Sequence, residues 1–139
     1  MFEKIASIKG IDHIGYAVKD LDSAREYFKA LGFDFSVEEE DLLRSVNVCV
    51  ASDLRGFRIE LLAPAKEKTP IDSYLRKIGP TPYHICYETD DMDDSISGLT
   101  KIGFTLLSKP DVSVPLKGKV CFLYEAEIGL IELIKYGDL

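Results

Sequence analysis

The sequence predicts an α+β fold built from two copies of one βαβββ unit. Three observations predict it. Residues 12–33, DHIGYAVKDLDSAREYFKALGF, match residues 83–104, YHICYETDDMDDSISGLTKIGF, without a gap at an offset of 71. Seven of these 22 positions are identical: His13/His84, Ile14/Ile85, Tyr16/Tyr87, Asp20/Asp91, Asp22/Asp93, Gly32/Gly103 and Phe33/Phe104. A second match, RIELL at 58–62 against LIELI at 130–134, follows at an offset of 72. Within each copy, an alternating apolar run leads into a helical pattern and then into three further strand patterns. The first module covers about 9–63, the second about 81–136, and 64–80 joins them within a single domain.

Each element has a local reason. In the opening strand, Ile14, Tyr16 and Val18 alternate with His13, Gly15 and Ala17, so the two sets face opposite ways. Asp20 and Asp91 stand where a helix N-cap is needed. The first helix carries Leu21, Ala24, Phe28 and Leu31 on one stripe, and the second carries Met92, Ile96, Leu99 and Ile102. Gly32 and Gly103 end them, because the residue after a helix often takes a left-handed backbone. Strands are expected near 34–38, 44–51 and 57–63, and again near 104–108, 119–125 and 129–135. Thr69 before Pro70 predicts a capped helix over about 70–78 in the linker, stopped by Gly79-Pro80. Glu38-Glu39-Glu40-Asp41 is expected to be a solvated turn, and 108–118 a mobile loop.

Composition narrows the function. The 139 residues are 46% hydrophobic and 29% charged, which excludes disorder and fibrous classes. The net charge of −7 disfavours a phosphate backbone, so nucleic acid is not an expected partner. No apolar stretch is long enough to span a membrane, and no signal peptide pattern opens the chain. Cys49, Cys86 and Cys121 are an odd, widely spaced set without a CxxC pair. They read as reduced thiols of a cytoplasmic protein.

Chemistry concentrates in four residues. Ile59 and Leu61, like Ile131 and Leu133, must pack on the helices, so Glu60 and Glu132 face the other way. The same alternation turns His13 and His84, the only histidines, to that face. A carboxylate in the middle of an apolar strand costs several kcal/mol unless it is paired or bound to a metal. Two imidazoles and two carboxylates suit one divalent borderline metal, such as nickel, zinc or cobalt.

The segments DHIGYAVKDLDSAREYF, RIELLAP, PYHICYETDDM and GLIELI resemble the vicinal oxygen chelate superfamily. They are most similar to its glyoxalase I (lactoylglutathione lyase) and methylmalonyl-CoA epimerase branch. The resemblance implies paired βαβββ modules forming a cup-shaped mixed sheet around a metal site. It implies His13, Glu60, His84 and Glu132 as ligands, with Glu132 as the first candidate base and Glu60 as its partner. The implied chemistry is proton transfer next to a metal-chelated carbonyl. The expected substrate is a glutathione hemithioacetal or an acyl-CoA, and the expected assembly a homodimer. In well-studied epimerases of the family a further glutamate stands on the strand at 44–51. Here the matching residue is Asn47 or Cys49, so a glyoxalase-type reaction is expected slightly ahead of epimerisation. A non-catalytic binder of the same fold is the third alternative. Arg58, two residues before Glu60, is a candidate for holding a substrate carboxylate. Asn47 and Lys117 are further candidates for substrate contact, and Cys86 shares the face of His84.

Overall fold

The structure, a computed structural model, describes residues 1–137. Its ten strands and three helices form two compact units, and the α+β class expected from the sequence is what is found. One unit is His13–Tyr83; the other combines Met1–Asp12 with the chain from His84 onward. The division falls a few residues from the module limits drawn from the repeat, because the two opening strands, β1 (Ile8–Ala17) and β6 (Thr81–Thr89), each contribute to both units.

In the first unit, β5 (Arg58–Pro64) runs parallel to β1, with Gly15 beside Glu60 and Ala17 beside Leu62. Strand β4 (Val46–Ser52) pairs antiparallel with β5, placing Val50 opposite Glu60 and Val48 opposite Leu62. Of the expected strand at 34–38 only β2 (Asp34–Phe35) forms; β3 (Glu39–Asp41) follows beyond it, and both pair with β4. Between them the Ser36 amide donates to the Val50 carbonyl at 2.8 Å, and the Val50 amide donates to Ser36 Oγ at 3.1 Å. The acidic run is therefore an edge strand rather than a free turn. Asp41 is buried and accepts from the Arg44 guanidinium at 2.9 Å.

The second unit repeats this plan. Strand β10 (Gly129–Tyr136) is parallel to β6, with Cys86 beside Glu132, and antiparallel to β9 (Gly118–Glu125), with Phe122 opposite Glu132. Strands β7 (Thr105–Leu106) and β8 (Asp111–Ser113) share the outer edge of β9. The predicted loop at 108–118 thus contains a paired strand. Ser108 Oγ accepts from the Phe122 amide, as Ser36 does from Val50.

The ten-residue helix of each unit packs on one face of its strands. Helix α1 (Leu21–Ala30) starts at Asp20, whose carboxylate accepts from the Ser23 amide at 2.9 Å. That bond holds the Asp20 carboxyl below its usual range. Leu21, with Ala24 and Phe28, covers Cys49, Ala51, Ile59, Leu61 and Ala63. Leu31 does not join them, being 71% exposed. It sits at the helix end, and Phe33 folds back against Phe28 in its place, with ring centroids 5.9 Å apart. Helix α3 (Met92–Lys101) is capped by Asp91 on the Asp94 amide at 3.0 Å. Met92, Ile96, Leu99 and Ile102 cover Cys121, Leu123, Ile131 and Leu133, as the stripe predicts. Gly32 and Gly103 have φ of +99° and +114°, the conformation a helix-ending glycine supplies without strain.

The linker helix α2 is shorter than expected, Asp72–Lys77. Thr69 is not its cap; instead the Thr69 hydroxyl and amide both donate to the Asp72 carboxylate. Ile71 and Leu75 from this segment pack with Val46, Val48, Leu62 and Ala17, which are on the Glu60 face of the first unit. No described helix is long and apolar enough to cross a membrane.

The N-terminal segment is fixed to the second unit through hydroxyls. Ser95 Oγ lies 2.7 Å from both Ser7 Oγ and Thr89 Oγ1, and Ser7 donates to Asp94 at 2.8 Å. Ser95 is fully buried. Its replacement by alanine leaves two hydroxyls short of a partner, and is expected to cost about 1–3 kcal/mol in a urea unfolding curve.

Candidate functional site

Each unit presents one buried histidine–glutamate pair on the sheet face away from its ten-residue helix. In the first unit, Gly15 is the strand neighbour of Glu60, so His13, two residues earlier on β1, projects from the same face. His13 Nε2 lies 3.5 Å from Glu60 Oε1. In the second unit, Cys86 is the neighbour of Glu132, and His84 stands two residues before it on β6. His84 Nε2 lies 3.0 Å from Glu132 Oε1. None of the four residues is more than 4% exposed. The duplicated sequence therefore yields duplicated geometry, with the same atoms facing each other in both halves.

Local sequence explains why the glutamates are tolerated there. Ile59 and Leu61 anchor one side of β5, and Ile131 and Leu133 anchor one side of β10, in the two helix-covered cores. The intervening Glu60 and Glu132 have no choice of face. Each carboxylate then meets an imidazole in a setting with little water, where a charge left alone is costly. Imidazole nitrogen and carboxylate oxygen are also the donors that borderline divalent metals accept, so the residues fit the metal that the sequence suggests.

The remaining sequence candidates are placed as follows. Arg58 is half-buried and shares the Glu60 face of β5. Cys86 is buried on the Glu132 face, as expected. Asn47 is a correction: it stands opposite Ala63 and so lies on the helix side of β4, next to Lys19, Asp20 and Glu38. Cys49, opposite Leu61, lies on that side as well, where Arg25 Nη1 approaches its sulfur at 3.4 Å. The residues of β4 that share the Glu60 face are Val46, Val48 and Val50. The register between β4 and β5 decides this, and a shift of one residue exchanges the two faces. Lys117 is exposed in the turn between β8 and β9, with φ of +60°. Cys121 points into the core of the second unit. Burial, with the Glu132 carboxylate adding to it, pushes its thiol up to about 12, so it is protonated and inert at neutral pH.

One neighbour of the pairs was not singled out from the sequence. Phe122 stands opposite Glu132, and its ring meets the His84 imidazole edge to face, with centroids 5.3 Å apart at 87°. The signal was available in the pairing of 119–125 with 129–135 across the Glu125–Gly129 turn, which sets Phe122 against Glu132.

Known proteins share this fold. The chain belongs to the glyoxalase/bleomycin resistance protein/dioxygenase superfamily, whose family model matches residues 12–122. Within it the similar proteins include epimerases. An ethylmalonyl-CoA/methylmalonyl-CoA epimerase of Cereibacter sphaeroides is 31% identical over 129 residues, covering 88% of this chain and 95% of that protein. The human mitochondrial methylmalonyl-CoA epimerase is 31% identical over 128 residues, 88% of this chain and 72% of that one. The crystal structure of methylmalonyl-CoA epimerase from Mycobacterium tuberculosis superposes with a TM-score of 0.85 at 27% identity, over 94% of this chain and 90% of that chain. A Streptomyces coelicolor methylmalonyl-CoA epimerase solved with 2-nitronate-propionyl-CoA gives a TM-score of 0.83 at 26% identity, over 94% and 99% of the two chains. With relatives of this kind along nearly its whole length, the chain is an enzyme of the isomerase type. The kinship favours the epimerase branch over the glyoxalase reading that the sequence put slightly ahead.

Proposed function

We propose that the protein is an epimerase of α-substituted malonyl-CoA thioesters, with His13, Glu60, His84 and Glu132 together holding one divalent metal. The observation that carries this reading is the buried histidine–glutamate pair repeated in a chain related to such an epimerase over 88% of its length. When bound, nickel, zinc or cobalt supplies Lewis acidity that polarises the thioester carbonyl and acidifies the neighbouring C–H.

The chain's own residues then have distinct tasks. Glu132 takes the α-proton on a carboxylate oxygen, leaving the electron pair delocalised toward the carbonyl. Glu60 is its partner: entering the cycle as the carboxylic acid, it gives its proton to the opposite side of the same carbon, which inverts the configuration, and proton exchange with solvent resets both carboxyls. The imidazoles of His13 and His84 serve as neutral nitrogen donors and fix the two carboxylates. Arg58, on the Glu60 face, holds the free carboxylate of the substrate. Lys117 meets an anionic part of the acyl-CoA. The proposal includes a cytoplasmic homodimer, as the family resemblance implies.

A glyoxalase I-type isomerisation of a glutathione hemithioacetal is the second reading. One observation favours it: the Glu60 face of β4 carries three valines, of which Val46 and Val48 are fully buried in a cluster with Ile71. That strand supplies no further carboxylate. Protein loaded with nickel, zinc or cobalt separates the two readings. Interconversion of the two methylmalonyl-CoA configurations is the expected result, and turnover of the methylglyoxal–glutathione hemithioacetal alone establishes the second reading instead.

A further inference from the structure

We infer that Phe122 is a positioning and selectivity residue that orients His84 and limits the size of the substrate's α-substituent; this rests on the epimerase reading. Three observations within the second unit lead to it. Phe122 is directly opposite Glu132 in the β9–β10 pair, so the two side chains project side by side from one face. Directly opposed residues of an antiparallel pair have their Cβ atoms about 4.5–5.5 Å apart. Its ring stands perpendicular to the His84 imidazole at 5.3 Å, the edge-to-face arrangement that aromatic rings favour. His84 is itself 3.0 Å from Glu132. Phe122 is only half-buried, so part of the ring remains available to a bound molecule.

The backbone of Phe122 is held at both polar atoms, the amide by Ser108 Oγ at 3.1 Å and the carbonyl by the Leu107 amide at 2.8 Å. The strand position that carries the ring is thus fixed, and the edge-to-face contact with His84 sets the ring itself. A carbon whose proton passes to Glu132 must come within hydrogen-bond reach of that carboxylate, and its substituent then runs along the ring. The equivalent position in the first unit, opposite Glu60, is Val50. Two positions that the repeat makes equivalent differ by a whole aromatic ring, which gives the two glutamates unequal room. A small α-methyl group fits beside Phe122, and a longer chain presses on it.

The test is Phe122→Val, which gives the second unit the residue of the first, with Phe122→Leu as a second variant should the valine protein fold poorly. The readouts are kcat/KM on methylmalonyl-CoA and on ethylmalonyl-CoA, and zinc affinity by chelator competition. Wild type is expected to prefer the methyl substrate. The variant is expected to move the ethyl-to-methyl ratio up by about tenfold, the discrimination one methylene supports in a tight pocket. It is also expected to weaken zinc severalfold as the imidazole loses its support. An unchanged ratio in an active variant overturns the inference and leaves the epimerase reading intact. Wild-type protein idle on both thioesters overturns that reading and this inference with it.

Discussion

Glu132→Gln is expected to lower turnover of methylmalonyl-CoA by about a thousandfold, within the range that a general base contributes. The substitution is chosen because it isolates the chemistry. Glutamine has the same shape as glutamate, so Ile131 and Leu133 keep their places in the core on the other side of β10. Its amide oxygen takes the place of the carboxylate oxygen that lies 3.0 Å from His84 Nε2, so folding is retained and an oxygen ligand remains for the metal. What it lacks is an oxygen that can accept the α-proton. Steady-state kinetics beside a unfolding curve measures both effects. Activity within tenfold of wild type, with folding intact, places the base elsewhere.

His84→Ala and His13→Ala are each expected to weaken metal binding by at least about a hundredfold, more than is lost when an outer partner of a ligand is removed. The reason is specific to the duplication. If the two pairs serve one metal, either histidine alone is insufficient, and both variants fail alike. A second effect follows from burial. Without its imidazole, Glu132 is a carboxylate 2% exposed in an apolar strand, and breaking such a pair costs about 3–5 kcal/mol. Metal analysis of the purified variants, with unfolding of the metal-free proteins, separates the two effects. Full metal content in either variant contradicts the shared site.

Much of this was legible in the sequence, for physical reasons that also mark where legibility ends. The caps at Asp20 and Asp91 and the glycines at 32 and 103 act through neighbours within a few residues, so their effects could be read directly. The facing of Glu60 and Glu132 followed from the apolar residues on either side of them, which leave the strand one orientation. Asn47 was misplaced because its face depends on how β4 aligns with β5 across the turn that joins them. There the Asp53 carboxylate, accepting from the Arg55 and Phe57 amides, fixes a register that alternation alone does not show. The broken edge strands escaped for a related reason: the side-chain hydroxyls of Ser36 and Ser108 replace backbone groups in the gaps. The six-residue α2 is too short to carry a periodic stripe, and only packing shows that Ile71 and Leu75 cover the valines of β4. Leu31 fitted a helical stripe and lost its place to Phe33 once the helix ended.

The central claim is that the histidine–glutamate pairs serve proton exchange at the carbon next to a thioester. Deuterium incorporation measures that step directly. Metal-loaded protein in heavy water is predicted to place deuterium at the α-carbon of methylmalonyl-CoA as the two configurations equilibrate, well ahead of the protein-free control, and Glu132→Gln is predicted to lose this exchange. Loaded, folded wild-type protein that leaves the α-hydrogen in place contradicts the claim.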